Sequence, residues 1–342
     1  MSSPSVSTSR GDGAGHGPWW RALSWRALLS PEVSLPLILL TFCVYLSIAS
    51  PYFLLWQNFM NILASVSVIG IAAAFATLVV ISAGVDLTPV AVMTAVGIVS
   101  LHTLNNGWSV TATVIACLVV AAALGAVNGI LVSFIALNPF ITTLGTNFIF
   151  TGVAYVVTSG QSQLLVGHSS DSFLQIGEAT VGPQIPVSAL IMLATFTIAF
   201  VMLRYTRFGT HVFAVGGDEK AARLNGVRVR RAKLFLYVLA AASAGVAGIV
   251  LAAQSGSVAP YAATSQTNLL LIIAAVIIGG TALEGGRGSV VGTFVGVLLV
   301  GVIQDGLVLL NVSSFYQPVV TGGVLVIALL LDKLQLALGA ES

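Results

Sequence analysis

Charge is what this sequence has least of. Of its 342 residues only 7% are Asp, Glu, Lys or Arg, while 57% are hydrophobic; an ordinary globular domain carries about 25% charged residues. A chain this apolar cannot hide its surface in one water-soluble core, so most of that surface must face lipid. Cysteine is scarce as well. Cys43 and Cys117 fall inside apolar runs and read as small buried hydrophobes, not as a disulfide or metal pair. The histidines are scattered, with His102, His168 and His211 in three separate regions, so they form neither a metal cluster nor a catalytic set. No Lys or Arg interrupts an apolar run, and no series of carboxylates or histidines suggests a proton relay. The absence of a GxxxxGK[ST] loop excludes the usual ATP cradle. A net charge of +2 with no aromatic-basic face gives no reason to expect nucleic acid.

The charge that is present is concentrated. Eight of the thirteen Lys and Arg residues lie between Arg204 and Lys233, in RYTRFGTHVFAVGGDEKAARLNGVRVRRAK. Such a stretch must sit in water. Around it, apolar runs of membrane-spanning length, about 20 residues or somewhat fewer, predict ten spans. They cover approximately 33–50, 60–83, 87–104, 110–136, 139–158, 186–203, 234–254, 268–283, 289–304 and 317–331. Residues 1–32 precede them as a Ser/Gly-rich disordered tail and a short interfacial helix, in which Trp19, Trp20 and Trp25 alternate with Arg21 and Arg26. A single membrane domain then fills 33–334, and 335–342 form a C-terminal tail.

Basic residues resist translocation and collect in cytoplasmic loops. With the N-terminus inside, ten alternating spans place Arg10, Arg21, Arg26, the whole 204–233 segment, Arg287 and Lys333 in the cytoplasm. The long outer loop, 159–185, has no Lys or Arg, and Trp56 and Trp108 fall at the outer interface. The expected fold is therefore an all-α membrane protein of about ten transmembrane helices with both termini cytoplasmic. Dividing it at the outer loop gives two halves of five spans, which are inverted relative to each other by parity.

Some helices should be discontinuous. Gly84 frees the backbone in SAGVDLTP (82–89), Asp86 is placed to cap the next helix, and Pro89 suits a first turn. Asp86 is either that cap or a group that meets solute or ion. A second polar seam joins Asn128 and Gly129 to Asn138-Pro139, Thr142, Thr143 and Asn147, with Gly125 and Gly129 on one helix face for close packing. The seam is either interhelical glue or the lining of a path for a neutral polar solute. Glu284 and Arg287 are placed to pair within an inner turn. In the basic segment, Gly216-Gly217 breaks the chain, Asp218 caps, Glu219 and Arg223 pair at i, i+4, and Asn225-Gly226 stops a helix of about two turns. A helix so short does not persist alone in water and suits a partner's groove.

The phrase VFAVGGDEKAARLNGVRV (212–229) closely resembles the cytoplasmic loop of permease subunits of ABC importers of the ribose/xylose/galactose class. SAGVDLTPVAVMTA, LGAVNGILVSFIALNPFITTLGT, AAVIIGGTALEGGRGSVVGTFVGVLLVGVIQDGL and SSFYQPVVTGGVLVIALLLD extend the likeness over nearly the whole chain from about residue 60. By that resemblance Gly216, Gly217, Glu219, Ala221, Ala222, Arg223 and Leu224, with the capping Asp218, form the coupling helix that seats in an ATPase subunit. Asp86, Asn128, Thr142, Thr143, Asn147 and Asn268 are the translocation-path candidates. The sequence departs from the family twice. Val90 stands where a small residue is usual, and Thr267-Asn268-Leu269-Leu270 replaces a Tyr-Glu-Leu-Asp stretch, which leaves the sugar open.

The resemblance implies a multi-pass subunit of a bacterial inner membrane, without enzymatic activity or a bound cofactor of its own. Its partners would be a second permease chain (identical or homologous), cytoplasmic ATPases holding ATP and Mg, a periplasmic sugar-binding protein and membrane lipid. Two other readings stay open. One is an ion-coupled transporter of a small polar solute, for which Asp86 supplies the acid; the other is an ABC permease for a nucleoside or a sugar-derived signal.

Overall fold

Turn residues cut the apolar runs into helices. Ser109, Asn138 and Ser289 each accept a backbone N–H of the following first turn, and Pro89 and Pro139 stand at first helical positions, where a missing N–H costs nothing. The computed structural model describes residues 31–166, 170–182, 184–260 and 264–313, with 315, 316, 319, 320, 322, 323 and 326. The interfacial helix expected before residue 31, most of the tenth span, Lys333 and the tail from 335 lie outside the described residues.

In chain order the helices are α1 (Pro31–Ala49), α2 (Trp56–Ile81), α3 (Pro89–Asn105), α4 (Val110–Ser133), α5 (Pro139–Thr158), α6 (Ser170–Glu178), α7 (Val187–Tyr205), α8 (Arg207–Gly217), α9 (Glu219–Leu224), α10 (Val229–Ser255), α11 (Thr264–Ile278) and α12 (Val290–Leu309). Six of them, α2, α4, α5, α7, α10 and α12, are long and apolar enough to cross a membrane, and α1, α3 and α11 contribute shorter apolar stretches. The first nine expected spans all fall on these helices. The molecule is an all-α membrane protein, with two small antiparallel strand pairs as its only sheet among the described residues: β1 (Gln163–Leu164) with β4 (Ser257–Val258), and β2 (Thr180–Val181) with β3 (Ile185–Pro186).

Two sequence expectations are corrected. The 159–185 loop carries α6, whose Phe173 is fully buried; its apolar residues Phe173, Leu174 and Ile176 span little more than one turn, too short a run to be read as a helix. The basic segment is not one loop with one helix. It comprises the end of α7, all of α8 and α9, and the first turn of α10, so Arg204, Arg230, Arg231 and Lys233 sit on membrane helices that extend beyond their apolar runs.

At the centre are α2 and α10, with α10 lying against α2, α3 and α4. Lipid gives helices no hydrophobic reason to associate, so close contact depends on small residues. A β-carbon on Gly125 of α4 would stand 2.6 Å from the carbonyl oxygen of Tyr237 and 2.6 Å from the Ala241 methyl on α10. Buried hydroxyls add cross-links: Thr77 of α2 bonds Thr293 of α12 at 2.9 Å, Thr103 of α3 bonds Thr113 of α4 at 3.0 Å, and Ser243 of α10 donates to the Ile71 carbonyl of α2. The outward faces of α4, α5 and α7 remain apolar, with Val119, Val156 and Ile198 exposed, as lipid contact requires.

Gly125→Ala should therefore destabilise the fold by about 1–3 kcal/mol, the usual cost of overpacking. Gly145→Ala on α5, where the added carbon meets nothing within 4 Å, should be neutral or stabilising. Thermal unfolding in detergent separates them, and equal melting temperatures would refute close α4–α10 packing as the cause.

Candidate functional site

Between Ile81 and Pro89 the chain has no regular structure, and Ala83 adopts a φ of 58°. Most of this stretch is buried, so its backbone needs partners inside the protein. The Oδ1 atom of Asp86 accepts the Thr88 N–H at 2.9 Å and the Thr88 hydroxyl at 2.6 Å. Asp86 was expected to cap α3, but Thr88 holds the cap position. Pro89 offers no N–H, so the carboxylate closes a local turn on Thr88 instead. Because the single Thr88 hydroxyl proton goes to Asp86, its oxygen is left to accept the Asn128 Nδ2 donor, at 3.0 Å from α4. Asn128 is 1% exposed and its Oδ1 has no donor, which costs about 1–3 kcal/mol. The Val85 carbonyl accepts from Tyr237 of α10 at 3.1 Å and from Thr143 of α5 at 3.3 Å. Three helices thus each send one side chain to the break.

The rest of the expected seam does not join this cluster. Asn138 is spent as the α5 cap, on the N–H groups of Phe140 and Ile141. Thr142 donates to the Asn138 carbonyl one turn back at 2.7 Å; Thr143, which does reach the break, shares its one hydroxyl proton between the Val85 carbonyl and, more closely at 2.8 Å, that of Pro139. Asn147 is half-buried on α5 and Asn268 half-buried on α11, and no hydrogen bond ties either to the break. Glu284 and Arg287 do not pair; their turn is closed by backbone, Ala282 N–H to the Arg287 carbonyl at 3.1 Å. Sequence reasoning missed Tyr237, which is hidden in an otherwise ordinary apolar run. It also offered Asp86 alone as the acid for ion coupling. Asp305 lies within α12, bonded to Asn58 of α2 at 2.9 Å, and a lone acid in residues 290–309 was visible in the sequence.

The basic segment folds back onto the break. Thr206 caps α8, which runs through Gly216 and Gly217; the turn comes after them, at Asp218. Asp218 Oδ1 accepts the N–H groups of Lys220 at 2.8 Å and Ala221 at 3.0 Å to start α9, and Asn225 with Gly226 ends it. Ala222 is buried among Val215, Val227 and Val229, whereas Leu224 is 89% exposed. Of the expected coupling residues, Gly216 and Ala222 face inward, Glu219 is half-buried, and Gly217, Asp218, Ala221, Arg223 and Leu224 are exposed. Glu219 bonds Arg223 at 2.9 Å, as expected, and also Lys233 on α10 at 2.6 Å. At the other end of the segment, a side chain on Gly216 would collide with the Ile81 carbonyl and stand 2.6 Å from the Gly286 nitrogen. Gly286 N–H itself donates to Ile81 at 2.8 Å.

The Lys233 bond, more than that of Arg223, holds the Glu219 carboxyl below its ordinary range. A lowered folded-state pKa means that this contribution is complete above the unfolded value, about 4.3 for Glu, and is lost as pH falls through the folded value. Amide exchange in α9, corrected for intrinsic rates, should accelerate below about pH 4. Glu219→Gln should already show that acceleration at neutral pH, and matching profiles for the two proteins would contradict this role for Glu219.

The family described as the permease component of branched-chain amino acid transport systems matches residues 58–329. The ribose import permease of Bacillus subtilis is 38% identical over 290 residues, covering 85% of this chain and 89% of that protein. The D-allose transport system permease of Escherichia coli is 35% identical over 295 residues (85% and 88%), and the L-arabinose ABC transporter permease of Azospirillum brasilense is 33% identical over 298 (87% and 86%). No solved structure matches. The chain belongs to this permease family, as a transporter subunit of the ribose-import type.

Proposed function

We propose that the chain forms the path by which a monosaccharide crosses the inner membrane, with α9 seated in a cytoplasmic ATPase that supplies ATP and Mg. A periplasmic binding protein delivers the sugar, and a second permease chain completes the pathway. The ribose, allose and arabinose named for its relatives support the sugar class. In this reading ten spans run between two cytoplasmic termini as two inverted halves of five. The basic ends of α7 and α10 on one side, opposite a 159–185 segment without Lys or Arg, support that orientation.

The carrying observation is the packed junction of Gly216, Ile81 and Gly286. A force on α9 passes through α8 to Gly216, and from there by direct backbone contact to the end of α2, where the break begins. The Oδ1 atom of Asp86 is used by Thr88, which gives that carboxylate a structural part in the break.

Leu224→Asp should insert normally but reduce ATPase co-purification and sugar uptake by about tenfold or more, as loss of an exposed apolar anchor does at a protein interface. Leu224→Met should retain both. Glu219→Ala with Arg223→Ala should weaken assembly more mildly. Full uptake by the Leu224→Asp protein would rule out α9 as the docking element.

A further inference from the structure

We propose that the groove between α8, the start of α10 and the end of α4 holds the headgroup of an anionic phospholipid from the leaflet bordering the basic segment. Phe134, Phe208, Phe235 and Val238 supply an apolar wall, and His211, Arg228 and Arg231 bring basic groups to the same cavity of about 760 Å³. Phe134 is 46% exposed and Phe235 48% exposed. Phe208 meets Phe235 edge-on at 5.3 Å between ring centroids, which fixes the wall.

Charge decides the occupant. Within the basic segment the ion pairs are those of Arg223 and Lys233, both on Glu219, and among the described residues no carboxylate pairs with Arg228 or Arg231. Nor do these arginines stabilise the helix they begin, since cations in a first turn oppose the helix dipole. The site is a cationic rim above an apolar wall, on helices that enter the membrane. An acidic protein surface would match the rim alone. A phospholipid matches both parts, with its phosphate on the arginines and its acyl chain along Phe235, Val238 and Phe134. Because α8 and α10 flank α9, a bound lipid would brace the docking helix from the membrane side. The site stands on charge and shape, independently of whether α9 docks an ATPase.

The test uses the full-length chain in nanodiscs of equal phosphatidylcholine and phosphatidylglycerol, with native mass spectrometry counting the lipid retained. Wild type should keep phosphatidylglycerol in preference to phosphatidylcholine. Arg228→Gln with Arg231→Gln should weaken that retention by about thirtyfold. Arg204→Gln with Arg207→Gln removes equal charge outside the groove and should leave it unchanged. Arg228→Lys with Arg231→Lys keeps the charge and should retain the lipid, which separates a binding defect from misfolding. Equal retention of the two lipids, equal loss in both Gln pairs, or displacement by millimolar inorganic phosphate would each overturn the proposal. So would a Gln pair that loses ATPase binding while keeping its lipid.

Discussion

The carbonyl of Ile81 accepts the N–H of Gly286 at 2.8 Å, and Gly216 lies across that bond so closely that any side chain would collide with it. Three remote stretches of sequence meet there as bare backbone. The last carbonyls of a helix lack partners within it, and Ile81 is fully buried, so water does not supply its carbonyl. Gly286 meets that need with a φ of 74°, in the left-handed region where glycine carries no penalty. The end of α2 is thereby fixed to the 284–288 turn, and α8 is fixed against both.

The break beyond Ile81 is held differently. Its polar groups are met by single side chains, Asn128, Thr143 and Tyr237, one each from α4, α5 and α10. A net hydrogen bond is worth about 0.5–1.5 kcal/mol, so each of these contacts can exchange far more easily than a packed backbone junction can separate. In the proposed coupling, the stiff connection to α8 would serve as a lever and the softly held break beside it as a hinge. Moving α8 would carry the end of α2, while the side chains around residues 82–88 yield one at a time.

Legibility in the sequence followed the range of the forces involved. Nine apolar helices were readable because each is a local composition signal. So was α9, since Asp218, the i, i+4 pair of Glu219 and Arg223, and Asn225-Gly226 all act within two turns. Lys233 was not, because its bond to Glu219 spans fourteen residues and depends on where α10 begins. Tyr237 and the role of Gly216 were hidden for the same reason: nothing local distinguishes a tyrosine that bonds Val85 from one that packs. The polar seam was legible in part: Asn128 and Thr143 reach the break from their own helices, while Thr142, like Thr146 and Thr158 outside the expected seam, donates to a carbonyl one turn back on its own helix, a bond that any buried threonine in lipid can make without a neighbour.

That habit of threonine bears on selectivity. A hydroxyl already committed to its own helix gives no discrimination between one sugar and another, because discrimination comes from buried groups left unpaired by the wrong ligand. Among the described residues, the buried side-chain atoms without a partner are Asn128 Oδ1, Ser188 Oγ and Thr281 Oγ1, which lie on three different segments. Three separate atoms do not make a sugar subsite, where several donors and acceptors must converge on one ring.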